Sequence, residues 1–232
     1  MRGSRVVCAF ALVLSSEVVA AQVRTGPEFR VNAYTTDSQW APTGAALGDG
    51  IFVLVWADNR ADVLGQRFDL RGRRVGDEFV VNAYTTGTQW PSGFGAVAAD
   101  SRGNFVVVWT DFQQEPSGSA GVFGRRFDRR GRPIGGDFHV NGYTTGDQGT
   151  PAVAALPGGG FVVVWSSVGQ DGDAGGVFGR RFDAQASPAG PEFQVNQYTT
   201  GSQQGAQVAS ALDGDFVVAW TSDGQDGSYR PP

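Results

Sequence analysis

The sequence predicts an all-β, propeller-like fold of four repeats, each about 50–59 residues long with four antiparallel strands, the last repeat being incomplete. Three recurring segments predict it. VN-x-YTT begins at Val31, Val81, Val140 and Val195. An apolar run ending in tryptophan reaches Trp56, Trp109, Trp165 and Trp220. G-[QR]-R-F-D begins at Gly65, Gly124 and Gly179, and occurs three times only.

The elements follow in chain order. Arg2 and Arg5 precede an apolar run, Val6–Leu14, and a small-residue stretch at Ala20 and Ala21. That is the pattern of a secretory signal over 1–21, with cleavage after Ala20 or Ala21. The apolar run is too short for a membrane span, which needs about 20 residues. Residues 22–232 form one repeat domain with units at about 27–76, 77–135, 136–190 and 191–232.

The third unit serves as the pattern. Pro151–Leu156 is a strand of small residues, as a crowded inner strand requires. Pro157–Gly160 is a turn, because glycine accepts positive φ. Phe161–Trp165 is aromatic and β-branched, with high strand propensity. A Gly/Asp loop leads to the strand Val177–Asp183, and Pro191–Asn196 is the outer strand. No segment has helical periodicity or a helix start. The YTT loop then crosses from one outer strand to the next inner strand. Glu28–Asn32 reads as an outer strand that closes the ring by joining the last unit. That unit has Val208–Leu212 and Phe216–Trp220, but GSYRPP replaces its third strand, since prolines remove ladder donors.

Composition narrows the function. The 18 basic residues are all arginine, and the net charge is −5. An acidic chain without a basic cluster argues against nucleic acid, and no other apolar run could span a membrane. One cysteine excludes a disulfide framework, and one histidine argues against a histidine metal centre or a Ser-His-Asp triad. Nucleophile elbow, P-loop, zinc spacing and the sialidase Asp-box are all absent.

The segments Phe161–Trp165, Gly169–Asp173, Gly176–Asp183 and Glu192–Gln203, with their counterparts, resemble a propeller-type repeat of large secreted and surface proteins of bacteria. The layout is distantly similar to the FG-GAP blades of integrin α chains. The resemblance covers residues 26–228 and implies an adhesion or other extracellular setting without implying a reaction.

Four groups are candidates for chemistry. Asp171, Asp173, Asp223 and Asp226 lie in glycine-rich loops. They suit the oxygen coordination of calcium, and they suit ordinary Asp-Gly turns. No cofactor is required. Arg67, Arg126 and Arg181 lie two residues after a glycine on the same strand face. They are expected to stack on a strand-two tryptophan, Trp56, Trp109, Trp165 or Trp220, that covers the glycine; an arginine ring binding an anion is the rival reading. In the crossover loops, Tyr34, Gln39, Tyr84 and Gln89, flanked by Trp40 and Trp90, offer the amides and aromatic faces that a sugar-binding surface uses. They would equally satisfy their own loop backbone. His139 stands where other units have Arg30, Val80 or Gln194, so it reads as solvent-facing.

These observations favour a secreted, extracellular or periplasmic, non-catalytic binding or adhesion protein whose ligand is a glycan or a cell-surface component. A structural repeat array, or a fragment of a larger surface protein, is one alternative. A propeller hydrolase with an axial site is the other, though no carboxylate pair is singled out. The incomplete fourth unit would take a partner strand or a second copy of the chain.

Overall fold

The first three apolar runs are strands buried on both faces, and this shapes the molecule. The computed structural model describes residues 28–36, 38–58, 62–85, 89–90, 97–115 and 117–225, the side chains of Gln89 and Trp90 excepted. Residues 1–21, Asp226 and those two side chains therefore lie outside the described residues. The chain is an all-β, propeller-type array. Among the described residues there is no α-helix, only a 3-10 turn at Pro157–Gly159.

The first sheet orders β1 (Gln39–Gly48), β2 (Ile51–Asp58), β3 (Val63–Asp69) and β4 (Phe79–Val80) antiparallel. In the second, β5 (Gln89–Trp90) and β6 (Val97–Ala99) both pair with β7 (Phe105–Asp111), followed by β8 (Gly121–Phe127) and β9 (Pro133–His139). The third holds β10 (Gln148–Ala155), β11 (Phe161–Val168), β12 (Gly175–Phe182) and β13 (Phe193–Gln194). The last described sheet pairs β14 (Gln203–Ser210) with β15 (Phe216–Ser222). The inner strands β1, β6, β10 and β14 neighbour one another in sequence order, so successive sheets stand as blades round one axis.

Alternate residues of each central strand serve opposite neighbours. In β7, Phe105, Val107 and Trp109 pack on the first blade, with Val53, Val55 and Val81. Val106 and Val108 pack on the third, with Val163 and Trp165. Trp109 and Trp165 thus face the preceding blade, as does the half-buried Trp220. Trp56 meets Val31 of the segment before the first blade. The matching outward face of β15 has no neighbour among the described residues, and Val217 is 70% exposed there.

Two expectations are corrected. Glu28–Asn32 is not in a strand; it packs Phe29 on Phe68, with ring centroids 5.2 Å apart. The glycines of strand three are covered by phenylalanine, not tryptophan. Phe79, Phe138 and Phe193 lie directly opposite Gly65, Gly124 and Gly179. A Cβ at those glycines would come within 2.6, 2.6 and 2.7 Å of the ring. Trp56, Trp109 and Trp165 are buried in the core clusters instead.

Candidate functional site

Both the crossover loops and the loops joining strands two and three lie at one end of the blades. There, an asparagine organises each junction. Asn141 donates to the Tyr143 carbonyl, Gln148 Oε1 and Glu115 Oε1, and its own Oδ1 accepts the Val122 N–H at 2.7 Å. Asn196 repeats this with Tyr198, Gln203, Asp171 and Val177. Asn82 repeats it with Tyr84, Asp62 and Val63. In the first junction, Asn32 binds Gln39 and the Tyr34 carbonyl.

Gln39 is therefore corrected as a surface contact. It is buried, and its amide also donates to the Thr36 carbonyl. Tyr34 and Tyr84 remain at the surface, 36% and 37% exposed. Trp40 is half-buried beside them in sequence.

The loop acids have a shared role that spacing from the outer strand obscures. Asp62, Glu115 and Asp171 each accept a hydrogen bond from the junction asparagine. Counted from the tryptophan instead, they coincide: each stands six residues after Trp56, Trp109 or Trp165, as Asp226 does after Trp220. That count is the signal the sequence reading missed. Asp171 is thus half engaged by Asn196. Asp173 accepts the Gly201 N–H at 2.9 Å, and Asp223 is exposed. Among the described residues, no three His, Cys, Asp or Glu side chains converge as a metal-holding group.

The second blade departs from its siblings. Glu115 is buried, and its Oε1 lies 2.5 Å from His139 Nε2. Its Oε2 is buried with no partner among the described residues. A buried polar atom left so is rare in folded proteins. His139 is stacked on Phe123 at 4.7 Å, with its side chain 36% exposed. It is solvent-facing as expected, but it is also tied to a buried carboxylate, which the sequence did not reveal. Asp111, at the end of β7, is buried and accepts the N–H groups of Gln113 and Gln114 and the Gln114 amide.

The inner strands also bend at this end. A register shift interrupts β1, β10 and β14 just past Gln39, Gln148 and Gln203. Two residues beyond each glutamine, Ala41, Thr150 and Gly205 have φ of 51°, 49° and 66°. For alanine and threonine this conformation is strained, and bulges of this kind gather at rims and active sites.

The arginines point the other way, across blade boundaries. Arg67 donates to the Arg129 carbonyl of the next blade at 3.1 Å, and Arg126 to that of Ala184. Arg181 stacks on Phe216, 4.8 Å from the ring centroid. All three are structural ties, though not stacked on tryptophan as expected.

No protein-family model matches the sequence, and a search of curated proteins finds no match. Solved structures do share the fold. An endo-arabinase from Bacteroides thetaiotaomicron is 16% identical with a TM-score of 0.51, over 78% of this chain and 69% of that one. A protein of unknown function from Dyadobacter fermentans is 10% identical with a TM-score of 0.60, over 84% of this chain and 60% of that one. The expectation of a non-catalytic adhesion protein is corrected against this finding, since the fold shared here is that of an endo-arabinase. Among the described residues no helix is long and apolar enough to cross a membrane.

Proposed function

We propose that the chain is the propeller of a polysaccharide hydrolase whose reaction centre lies at the crossover end of the blades. The Glu115–His139 pair carries this reading. Cleaving a glycosidic bond needs a proton delivered to the leaving oxygen and a water activated for attack. His139 is the chain's only histidine, and it reaches solvent while Glu115 holds its Nε2. Its Nδ1 has no partner among the described residues, so that nitrogen is open to exchange a proton with substrate or water. The carboxylate behind the ring fixes its orientation and tautomer. Arg30, Val80 and Gln194, at the same place in the other repeats, could not do this.

The rest of the end face supports the reading. Tyr34, Tyr84 and Trp40 supply aromatic surface for sugar rings. The bulges at Ala41 and Thr150 bend the inner strands at this same end. In this reading the four units are consecutive blades, and residues 1–21 direct export.

The test is release of reducing ends from arabinan first, then from a panel of neutral and acidic polysaccharides. The expected result is turnover that His139→Gln and Glu115→Gln each lower by about 100-fold or more, with melting temperature followed in parallel. No turnover on any polysaccharide by folded protein would overturn the reading, as would full activity in His139→Gln.

A further inference from the structure

The opposite end of the blades carries the hairpin turns, and one cleft there breaks the repeat. It has a volume of about 410 Å³ and lies between the first and second blades, lined by Leu47, Gly48, Ile51, Arg67, Arg129 and Arg130. Three of its six lining residues are arginines. Arg67 gives one N–H to the Arg129 carbonyl and keeps the others. Arg129 pairs with Asp49 at 2.5 Å, both side chains more than half exposed. The Arg130 guanidinium has no hydrogen-bond or ion-pair partner among the described residues. Asp128, the other carboxylate near Arg67, already accepts the N–H groups of Arg130 and Arg132 and the Arg132 guanidinium. Three cations thus face one free-standing carboxylate, in a chain whose net charge is −5.

The repeat itself supplies the comparison. The equivalent cleft between the second and third blades is about 220 Å³. Its Arg126 meets Ala184 and Gln185 where the first cleft has Arg129 and Arg130. The two scaffold-equivalent clefts therefore differ in their arginines: Arg67, Arg129 and Arg130 line the first, whereas Arg126 and Arg102 line the second beside Asp100. Planar forks of this kind match carboxylate oxygens pairwise.

We infer that the first cleft binds the carboxylate of an acidic sugar, as one residue of a uronate-bearing polysaccharide. Arg130 and the free N–H groups of Arg67 grip the carboxylate, Arg129 exchanges Asp49 for it, and the part-exposed Ile51 gives the apolar side against which a sugar ring rests. The site stands apart from Glu115 and His139, so it requires no catalysis and holds whether or not the chain cleaves anything.

The test is calorimetric titration of the chain with tri-galacturonate at low and physiological salt. Binding that weakens with salt is expected, as is weakening by about tenfold or more in Arg129→Ala/Arg130→Gln. That variant copies the second cleft, and its substitutions are at exposed side chains, so its melting temperature should match the parent's. Arg102→Gln, in the second cleft, should bind as the parent does. The methyl-esterified trimer should not bind. Equal binding of the ester, unchanged affinity in the double variant, or competition by inorganic sulfate as strong as by the trimer would each overturn the inference.

Discussion

Phe79 lies directly opposite Gly65 in the first blade, and its ring then reaches Phe127 of the second, with centroids 5.4 Å apart. The missing side chain in one blade is what lets an aromatic ring join it to the next. Phe138 does the same over Gly124 toward Phe182, and Phe193 over Gly179 toward Phe216.

A methyl group at this position should therefore break a joint. In Gly65→Ala the new Cβ would stand 2.6 Å from the Phe79 ring, which must move away from Phe127. Overpacking of this kind costs about 1–3 kcal/mol. Chemical denaturation should show that loss. Combining it with Phe79→Ala should give less than the sum of the two single losses, because both act on one contact.

Asn196→Ala should destabilise by about 1–3 kcal/mol, because it strands the buried Val177 N–H and the Gln203 amide together. Asp171→Ala removes a partner of the same asparagine, so its melting temperature should fall in the presence of chelator as well as calcium. A loss seen only with calcium present would contradict this structural role.

The tryptophans should rank by enclosure. Trp165 is fully buried, whereas Trp220 is half-exposed. Trp165→Ala should cost about 3–5 kcal/mol, and Trp220→Ala clearly less. Equal losses in urea melts would mean that β15 is covered in solution.

Acid should weaken the hairpin turns. The Arg73 backbone N–H, with help from its side chain and from Arg71, holds the Asp69 carboxyl below the usual carboxylate range. Burial opposes the same trend at Asp128, but the Arg132 and Arg130 N–H groups and the Arg132 guanidinium outweigh it. Both groups are depressed in the folded chain, so the unfolded chain binds more protons as pH falls below about 4. Their contribution is complete above that range and is lost as pH falls through the folded values. Melting curves between about pH 2 and pH 6 should show a shallower acid limb in Asp69→Asn/Asp128→Asn.

The repeat period, the inner-to-outer order and the strands within the units were readable from the chain, because residue size and β-branching set them locally, whereas Glu28–Asn32 is no strand. The cover over Gly65 was not. Tryptophan and phenylalanine both suit a gap, and only register decides that Phe79 stands opposite. The outer strand was read too long, except in the second blade. Only two residues of β4 and β13 pair in the ladder, since side chains do much of the holding. Asp62 and Glu115, and the role they share with Asp171, escaped because their loops differ in sequence and only the distance from the tryptophan is common to them. The His139–Glu115 pair escaped for another reason: a single substitution in a repeat does not say what it touches.

Those outer segments also settle how neighbours communicate. Val31, Val81 and Val140 each offer a carbonyl to an arginine of the following blade, Arg74, Arg125 and Arg180. Glu78, Asp137 and Glu192 each reach back to the backbone N–H of Ala33, Ala83 and Gly142. Each of the first three units thus carries both halves of a coupling, with Arg125 and Arg180 at one repeat position and Arg74 at another. An inserted or deleted copy would find matching halves on both sides, so the length of such an array can drift through duplication without any new interface having to evolve.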